Sequence, residues 1–226
     1  MRISVIVPVL DEAGTIGPSL DALERSGAHE ILVVDGGSRD LTREECAARR
    51  GCVLLRADRG RARQMNAGAA AATGDVLVFL HADCRLAPGA LDRVRTALGD
   101  EAIAGGAFRV RLDRAGVWPS LVSLGINARS ALFRSATGDQ AIFVRRSAFA
   151  AAGGFPDIPL LEDVEFWRRL RERHRLVILG PRVTASARRW VADGYLRTCV
   201  RMWRIRLRFV LGASPEALKK TYPEVR

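Results

Sequence analysis

The sequence predicts an α/β fold with a mixed, mostly parallel central sheet flanked by helices. Three observations carry that prediction: four short, nearly uninterrupted apolar runs in the first half, helix-like segments between them, and acids or glycines directly after several of the runs. Continuous rather than alternating apolar residues mark strands buried on both faces. Regular alternation of strand with helix marks the class.

The first run, Ile3 to Val9, is too short before Asp11 and Glu12 for a signal peptide and reads as a strand. A helix follows over Thr15 to Ser26, then a second strand from Glu30 to Asp35. The next helix, Asp40 to Arg50, opens on a Ser-Arg-Asp turn suited to capping. Cys52 to Arg56 is the third strand, Arg61 to Ala72 an Ala-rich helix, and Asp75 to His81 the fourth strand. The second half is less regular. Ala102 to Leu112 and Gln140 to Arg145 read as strands, and Glu162 to Arg173 as a helix because Val164, Trp167 and Leu170 recur at helical spacing. Tyr195 to Leu211 is a further helix, ended by Gly212 with Pro215 beyond it. No linker divides the chain, so residues 1–226 are expected to form one domain: a nucleotide-binding half (1–100), an acceptor half (101–190), and a basic C-terminal helix and tail (191–226).

Composition narrows the function. At 226 residues with 48% apolar and 27% charged residues, the chain has enough apolar surface for a large core and no disordered character. No apolar stretch reaches the ~18 residues of a spanning helix. Cys46, Cys52, Cys84 and Cys199 show neither Cys-x-x-Cys spacing nor the density of a disulfide scaffold, which fits a reducing cytoplasm. The net charge of +11 is local: residues 182–226 hold eleven Lys or Arg against Asp193, Glu216 and Glu224.

In a parallel sheet, ligands sit beyond the carboxyl ends of the strands, so the residues just after each strand are the ones to inspect. The first strand runs into Pro8-Val-Leu10-Asp-Glu12, the second into Asp35-Gly-Gly-Ser-Arg-Asp40, and the fourth into His81-Ala-Asp83. Two residues apart in an extended chain, His81 and Asp83 are expected to face the same side. A carboxylate beside a diphosphate needs a bridging cation, and Mg2+ or Mn2+ takes one or two carboxylates plus phosphate oxygens and water, which makes Asp83 the candidate metal ligand. Each cluster is also ordinary turn chemistry. Glu162-Asp163 ahead of a helix suits a cap as well as a general base. No Gly-x-Gly-x-x-Gly follows the first strand and no phosphate-loop motif occurs, which weakens dinucleotide oxidoreductase and phosphate-loop readings.

In this order, the motifs resemble the family 2 glycosyltransferases, inverting enzymes with the GT-A nucleotide-sugar-binding fold. Ile6-Val-Pro-Val-Leu-Asp-Glu12 is similar to the family's opening strand and turn, and Val33-Val-Asp-Gly-Gly-Ser-Arg-Asp40 to its Val-Asp-Asp-x-Ser-x-Asp element, with Gly36 where Asp is usual. Gly60-Arg-Ala-Arg-Gln-Met-Asn66-Ala-Gly68 and Gly74-Asp75 through Asp83 resemble the next two segments, and Leu161-Glu-Asp163 the acidic pair that carries the base. Gly138-Asp-Gln140, Ala187-Arg-Arg-Trp190 and Leu211-Gly-Ala-Ser-Pro215 resemble the small subgroup of radical-SAM or selenodomain-associated transferases.

The resemblance implies that Pro8, Leu10 and Glu12 line the nucleotide site, that Asp35 meets the base with Arg63 near it, and that Asp83 holds Mg2+ or Mn2+ on the diphosphate. It implies Asp163 as general base, with Gly138, Asp139, Gln140 and Glu162 bordering sugar and acceptor, and Arg189 and Trp190 as acceptor or diphosphate contacts. The family's Asp-x-Asp is His81-Ala82-Asp83 here, and Ser186 stands where polysaccharide synthases carry Gln before Arg-Trp. The donor expected is a nucleotide sugar, a UDP-sugar first, and the acceptor is open, a lipid-linked one included.

Arg197, Arg201, Arg204 and Arg208 align on one stripe of the Tyr195 to Leu211 helix. A basic amphipathic helix suits either peripheral contact with the inner membrane face or core packing with a solvated Arg stripe. Two other readings compete. A nucleic-acid-binding or membrane-surface protein without catalysis explains the basic tail but not Asp35, Asp83 and Asp163. A sugar-phosphate nucleotidylyltransferase shares the sheet type but resembles a Gly-Gly-x-Gly-Thr-Arg opening that this chain lacks. The expected class is a cytoplasmic hexosyltransferase that does not use nucleic acid.

Overall fold

The computed structural model describes residues 1–222; residues 223–226, with Glu224 of the basic tail, lie outside the described residues. Strands β1 (Ile3–Val9), β2 (Glu30–Asp35), β3 (Cys52–Arg56) and β4 (Val76–Phe79) are parallel, with β1 between β2 and β4. The sheet continues through β7 (Ile142–Arg145), β6 (Ile103–Leu112), β8 (Arg175–Ala185) and the two-residue β5 (Cys84–Arg85), giving the order β3-β2-β1-β4-β7-β6-β8-β5. Strand β7 runs antiparallel to β4 and β6, while β6 and β8 are parallel. The sheet is mixed and mostly parallel, as the sequence implies.

Strand alternation explains the layers. Ile3, Val5, Val7 and Val9 point to a core shared with α1 (Ile16–Glu24) and α4 (Ala90–Ala97). Ile6, Leu32 and Val34 point to the other face, where α3 (Arg61–Ala71), α6 (Arg146–Ala151) and α7 (Glu162–Arg173) complete a second core with four clustered phenylalanines, Phe79, Phe149, Phe155 and Phe166. Both faces of β1 are buried along its whole length, which is why its run is continuous.

The helix expected over Asp40 to Arg50 shortens to α2 (Thr42–Ala47), and its first residue is gripped by Asp40, which accepts from both the backbone N–H and the hydroxyl of Thr42. Helix α9 (Tyr195–Val210) ends as its glycine implies: Gly212 is left-handed, and the N–H groups of Gly212 and Ala213 reach back to Phe209 and Arg208. Three further helices, α5 (Val117–Phe133), α8 (Arg188–Asp193) and α10 (Pro215–Lys219), and a short 3-10 turn at Gly138–Gln140 complete the described chain. Among the described residues no helix is long and apolar enough to cross a membrane.

Candidate active site

The strand order reverses between β1 and β4: the chain steps from β1 outward to β2 and β3, then returns to place β4 on the other side of β1. Such a switch point leaves a crevice at the carboxyl ends of the two strands. Glu12 lies just past β1 and His81 to Asp83 just past β4, so the sequence-predicted acids meet where the topology opens.

The loop after β1 is fixed by side chains rather than by a ladder. The backbone N–H groups of Asp11, Glu12, Ala13 and Gly14 donate in turn to Ser38 Oγ, Thr42 Oγ1, Asp40 Oδ2 and Glu45 Oε1 at 2.7–3.0 Å. Asp11 takes a left-handed conformation (φ 52°) to allow it. Glu12 is thereby turned inward, and Arg188 Nη2 donates to its Oε1 at 2.8 Å while Oε2 is buried without a hydrogen-bond partner. Burial pushes the Glu12 carboxyl above its ordinary value, against the pull of Arg188. Pro8 is buried within β1 and Leu10 is half-buried just beyond it.

Asp35 closes β2 and is buried. Its Oδ1 accepts from Ser38 N and Oγ (2.9 and 2.6 Å), its Oδ2 is buried without a hydrogen bond, and Arg43 Nε stands 3.9 Å from that oxygen. Gly36 lies against Gln64, whose amide bridges the carbonyls of Val9 and Val34; a Cβ at position 36 would come 2.9 Å from it. A side chain at position 36 would therefore have to displace the Gln64 amide. Asn66 and Gly68 are also structural: Asn66 holds the Phe155 backbone with both ends of its amide, and a Cβ on Gly68 would meet Ile6 at 2.5 Å. Arg63 pairs with Asp157, Nε lying 3.0 Å from each carboxylate oxygen.

The fourth strand stops at Phe79, so His81 and Asp83 are not neighbours on an extended chain as the sequence suggests. They lie in a turn closed by Cys84 N donating to His81 O (3.0 Å), and this turn gathers ligand atoms of His81, Asp83 and Cys84 within 4.8 Å of one another. Burial, and then the charge of Arg61, hold the His81 imidazole below its ordinary value, so it is neutral near pH 7. Burial with the charges of Asp83 and Asp139 pushes the Cys84 thiol well above its ordinary value, so it is not a thiolate. A carboxylate beside a neutral imidazole fits a divalent ion that tolerates nitrogen as well as oxygen, Mn2+ more readily than Mg2+.

Strand β8 completes this side. It pairs Cys84 with Ala185, and Ser186 N donates to Asp83 O, which sets the start of α8 over the turn. Arg188 Nε then stands 3.6 Å from Asp83 Oδ2 while its Nη2 holds Glu12, so one guanidinium ties the ends of β1 and β4 together. The sequence pointed to the next two residues instead. Arg189 lies over the Tyr222 ring, 4.8 Å from its centroid, and Trp190 stacks on Tyr195 at 6.3 Å.

Helix α7 supplies the remaining acids without using either as its cap. Leu161 is the cap residue, in a left-handed conformation (φ 65°) that costs roughly 1 kcal/mol or more and turns Glu162 and Asp163 into the site. Asp163 Oδ2 accepts from Gly138 N at 2.6 Å and Oδ1 from Val164 N at 2.7 Å, which leaves each oxygen a further lone pair. A Cβ on Gly138 would collide with His81 Nε2 and lie 3.4 Å from Asp163 Oδ2. Two residues expected at the acceptor are instead held inside the protein. Gln140 is fully buried, accepting from Ser130 and donating to Phe108 O; Glu162 is 3% exposed in its side chain, with Arg61 Nε 2.8 Å from its Oε1. Burial raises the Glu162 carboxyl against the pull of Arg61. Four arginines that motif reading missed, Arg61, Arg129, Arg188 and Arg206, thus surround Asp83, Asp139 and Asp163.

The chain is 33% identical to an uncharacterized Mycobacterium tuberculosis protein, MT1568, over 76% of this chain and 62% of that one. Among solved structures, S. aureus TarS 1-349 in complex with UDP-GlcNAc is similar at a TM-score of 0.66 and 18% identity, over 82% of this chain and 58% of that one. The mannosyltransferase PcManGT from Pyrobaculum calidifontis, in complex with GDP-Man and Mn2+, is similar at a TM-score of 0.68 and 21% identity, over all of this chain and 66% of that one. At these identities the likeness establishes the GT-A fold. This chain spans less than two thirds of the length of MT1568 and of the TarS chain. The family model for Glycosyl transferase family 2 matches residues 4–122, more than half of the chain, and the chain belongs to that family.

Proposed function

We propose that the chain is an inverting glycosyltransferase that moves a sugar from a nucleoside-diphosphate sugar to an acceptor hydroxyl. The observation that carries this reading is that Gly138 lies against both His81 and Asp163, while His81 shares its turn with Asp83 just past β4, at the switch point beside β1. On one side, the buried and unmet Asp35 Oδ2 offers an acceptor for a base N–H, with Pro8, Leu10 and Glu12 beside it and Arg63 farther along α3. On the other, Asp163 faces the mouth with free lone pairs, bordered by Gly138 and Asp139.

Asp83 would hold Mg2+ or Mn2+ with His81, and the ion when bound supplies positive charge beside the leaving diphosphate. Arg188 orients Asp83 and Glu12, and the guanidinium of Arg61 adds positive charge where the leaving group develops negative charge. Asp163 takes the proton of the attacking hydroxyl. A single in-line displacement breaks the bond from anomeric carbon to diphosphate oxygen as the new glycosidic bond forms, and configuration inverts. The PcManGT complex with GDP-Man and Mn2+ and the TarS complex with UDP-GlcNAc support a nucleotide-sugar donor. The cluster of acids disfavours a nucleic-acid backbone in this cleft. We place the chain in the cytoplasm, peripheral to the inner membrane face, with a lipid-linked acceptor.

The test is nucleotide release from a panel of UDP-, GDP- and dTDP-sugars with and without Mn2+. One donor class is expected to turn over with metal, and Asp83→Ala should abolish metal-dependent tightening of nucleotide binding. Equal titrations of wild type with and without Mn2+ would remove the metal assignment.

A further inference from the structure

Of the large apolar side chains exposed among the described residues, thirteen of sixteen lie between Val117 and Phe133 or between Val191 and Leu211. On α9 and its capping residue Leu211 they form a single stripe, Leu196, Val200, Trp203, Leu207 and Leu211, at steps of four, three, four and four. Trp203 is 64% exposed, while only Thr198 and Ile205 of this helix are buried. On α5 a second stripe, Val117, Leu121, Leu124 and Leu132, faces outward, with Trp118 and Phe133 at its ends. The two helices pack against each other, which puts the two exposed stripes on neighbouring elements. An exposed apolar area of this extent on a monomer marks an interaction site.

Charge selects the occupant. Neither α5 nor α9 contains an acid, while exposed Arg197, Arg204 and Arg208 run beside the α9 stripe. Two copies joined face to face through these helices would oppose like-charged rows. Apolar side chains with two tryptophans, bordered by arginines that have no acid beside them on either helix, match the interface of an anionic bilayer. The inner sides of the same helices reach the site: Arg129 of α5 and Arg206 of α9 are both partly buried, and each feels the charges of Asp139 and Asp163. The surface therefore adjoins the mouth at which the acceptor would enter.

We propose that α5 and α9 together form a docking surface for an anionic lipid bilayer, which brings the mouth beside Asp139 and Asp163 to the lipid plane. This deepens the lipid-linked acceptor reading above and rests on it for its use. Helix α5 supplies half of this surface and the basic helix α9 the other half.

The test is co-sedimentation of the full chain with neutral phosphatidylcholine vesicles and with vesicles containing about one-third phosphatidylglycerol. Wild type should bind the anionic vesicles about a hundredfold more tightly than the neutral ones, since three surface arginines contribute. Leu124→Glu on α5 and Trp203→Glu on α9 should each weaken binding at least about tenfold with thermal stability unchanged, because both side chains are exposed. The proposal is overturned if wild type stays in the supernatant with anionic vesicles, or if Leu124→Glu binds like wild type. It is also overturned if light scattering shows a dimer that Trp203→Glu splits, which would make the face a self-interface. Nucleotide release from the donor panel without vesicles reports on the donor reading separately, since neither variant touches the cleft.

Discussion

Arg61→Ala probes how the acidic pair is held. Glu162 is nearly fully buried and Arg61 Nε lies 2.8 Å from its Oε1, but Arg61 keeps 43% of its side chain exposed. Removing one partner of a fully buried ion pair costs about 3–5 kcal/mol, and an exposed pair is worth ~0–1 kcal/mol. With one member buried and the other half in water, we expect ~2 kcal/mol, or roughly 4–8 °C in melting temperature for a chain of this size. Glu162→Gln removes the charge that needs the partner and should cost about 1 kcal/mol or less. The double variant should resemble Glu162→Gln, leaving a coupling energy of about 2 kcal/mol. The pH dependence has a definite sign. Burial already raises the Glu162 carboxyl and Arg61 opposes it, so without Arg61 the folded-state value rises further. The deficit is then full above that raised value and shrinks as pH falls through it toward the unfolded value near 4.5. Urea denaturation of the four proteins at pH 5 and pH 7.5 measures all of this. A loss under about 0.5 kcal/mol for Arg61→Ala at both pH values would refute the buried-charge reasoning.

Glu30 works in the opposite sense: burial pulls its carboxyl up, but hydrogen bonds from Ser4, Thr73 and Gly74 outweigh it and hold it below the ordinary value. Its stabilisation is therefore present above the unfolded value and lost as pH falls through the folded one, so Glu30→Gln should cost roughly 1 kcal/mol at pH 7 and little at pH 3; an equal loss at both values contradicts this. Gly138→Ala drives a methyl into the His81 ring beside Asp163 and should lower turnover roughly tenfold to a hundredfold, from about 1–3 kcal/mol of overpacking. Wild-type kcat/KM in that variant would mean that the Gly138 turn does not position the site.

The first half of the fold is legible because its strands are buried on both faces and say so in continuous apolar runs. Strand β8 is not, because Gly180-Pro181 reads as a turn. In the structure the register jumps from Phe108–Leu179 to Arg109–Arg182, so those two residues leave the ladder as a bulge and the strand continues. Helix α5 hides for a related reason: Pro119 and Gly125 are poor helix formers, and its outward face is as apolar as its inward one, so it shows little helical periodicity. At the site, Asp35, Asp83 and Asp163 are visible because each follows or opens a regular element. Arg188 is invisible without β8, since only the pairing of Cys84 with Ala185 brings it over Asp83. Adjacent arginines in one helix point in different directions, and no motif distinguishes Arg188 from Arg189.

Asp163 as the proton acceptor is tested most directly by Asp163→Asn, which keeps the shape of the side chain and one of its two backbone N–H contacts, to Gly138 or Val164, but removes the base. With the donor that the panel selects, donor affinity should stay within about twofold while turnover falls about 10²–10⁴-fold. Turnover like that of wild type, or a loss of donor binding that accounts for the whole effect, would contradict the assignment.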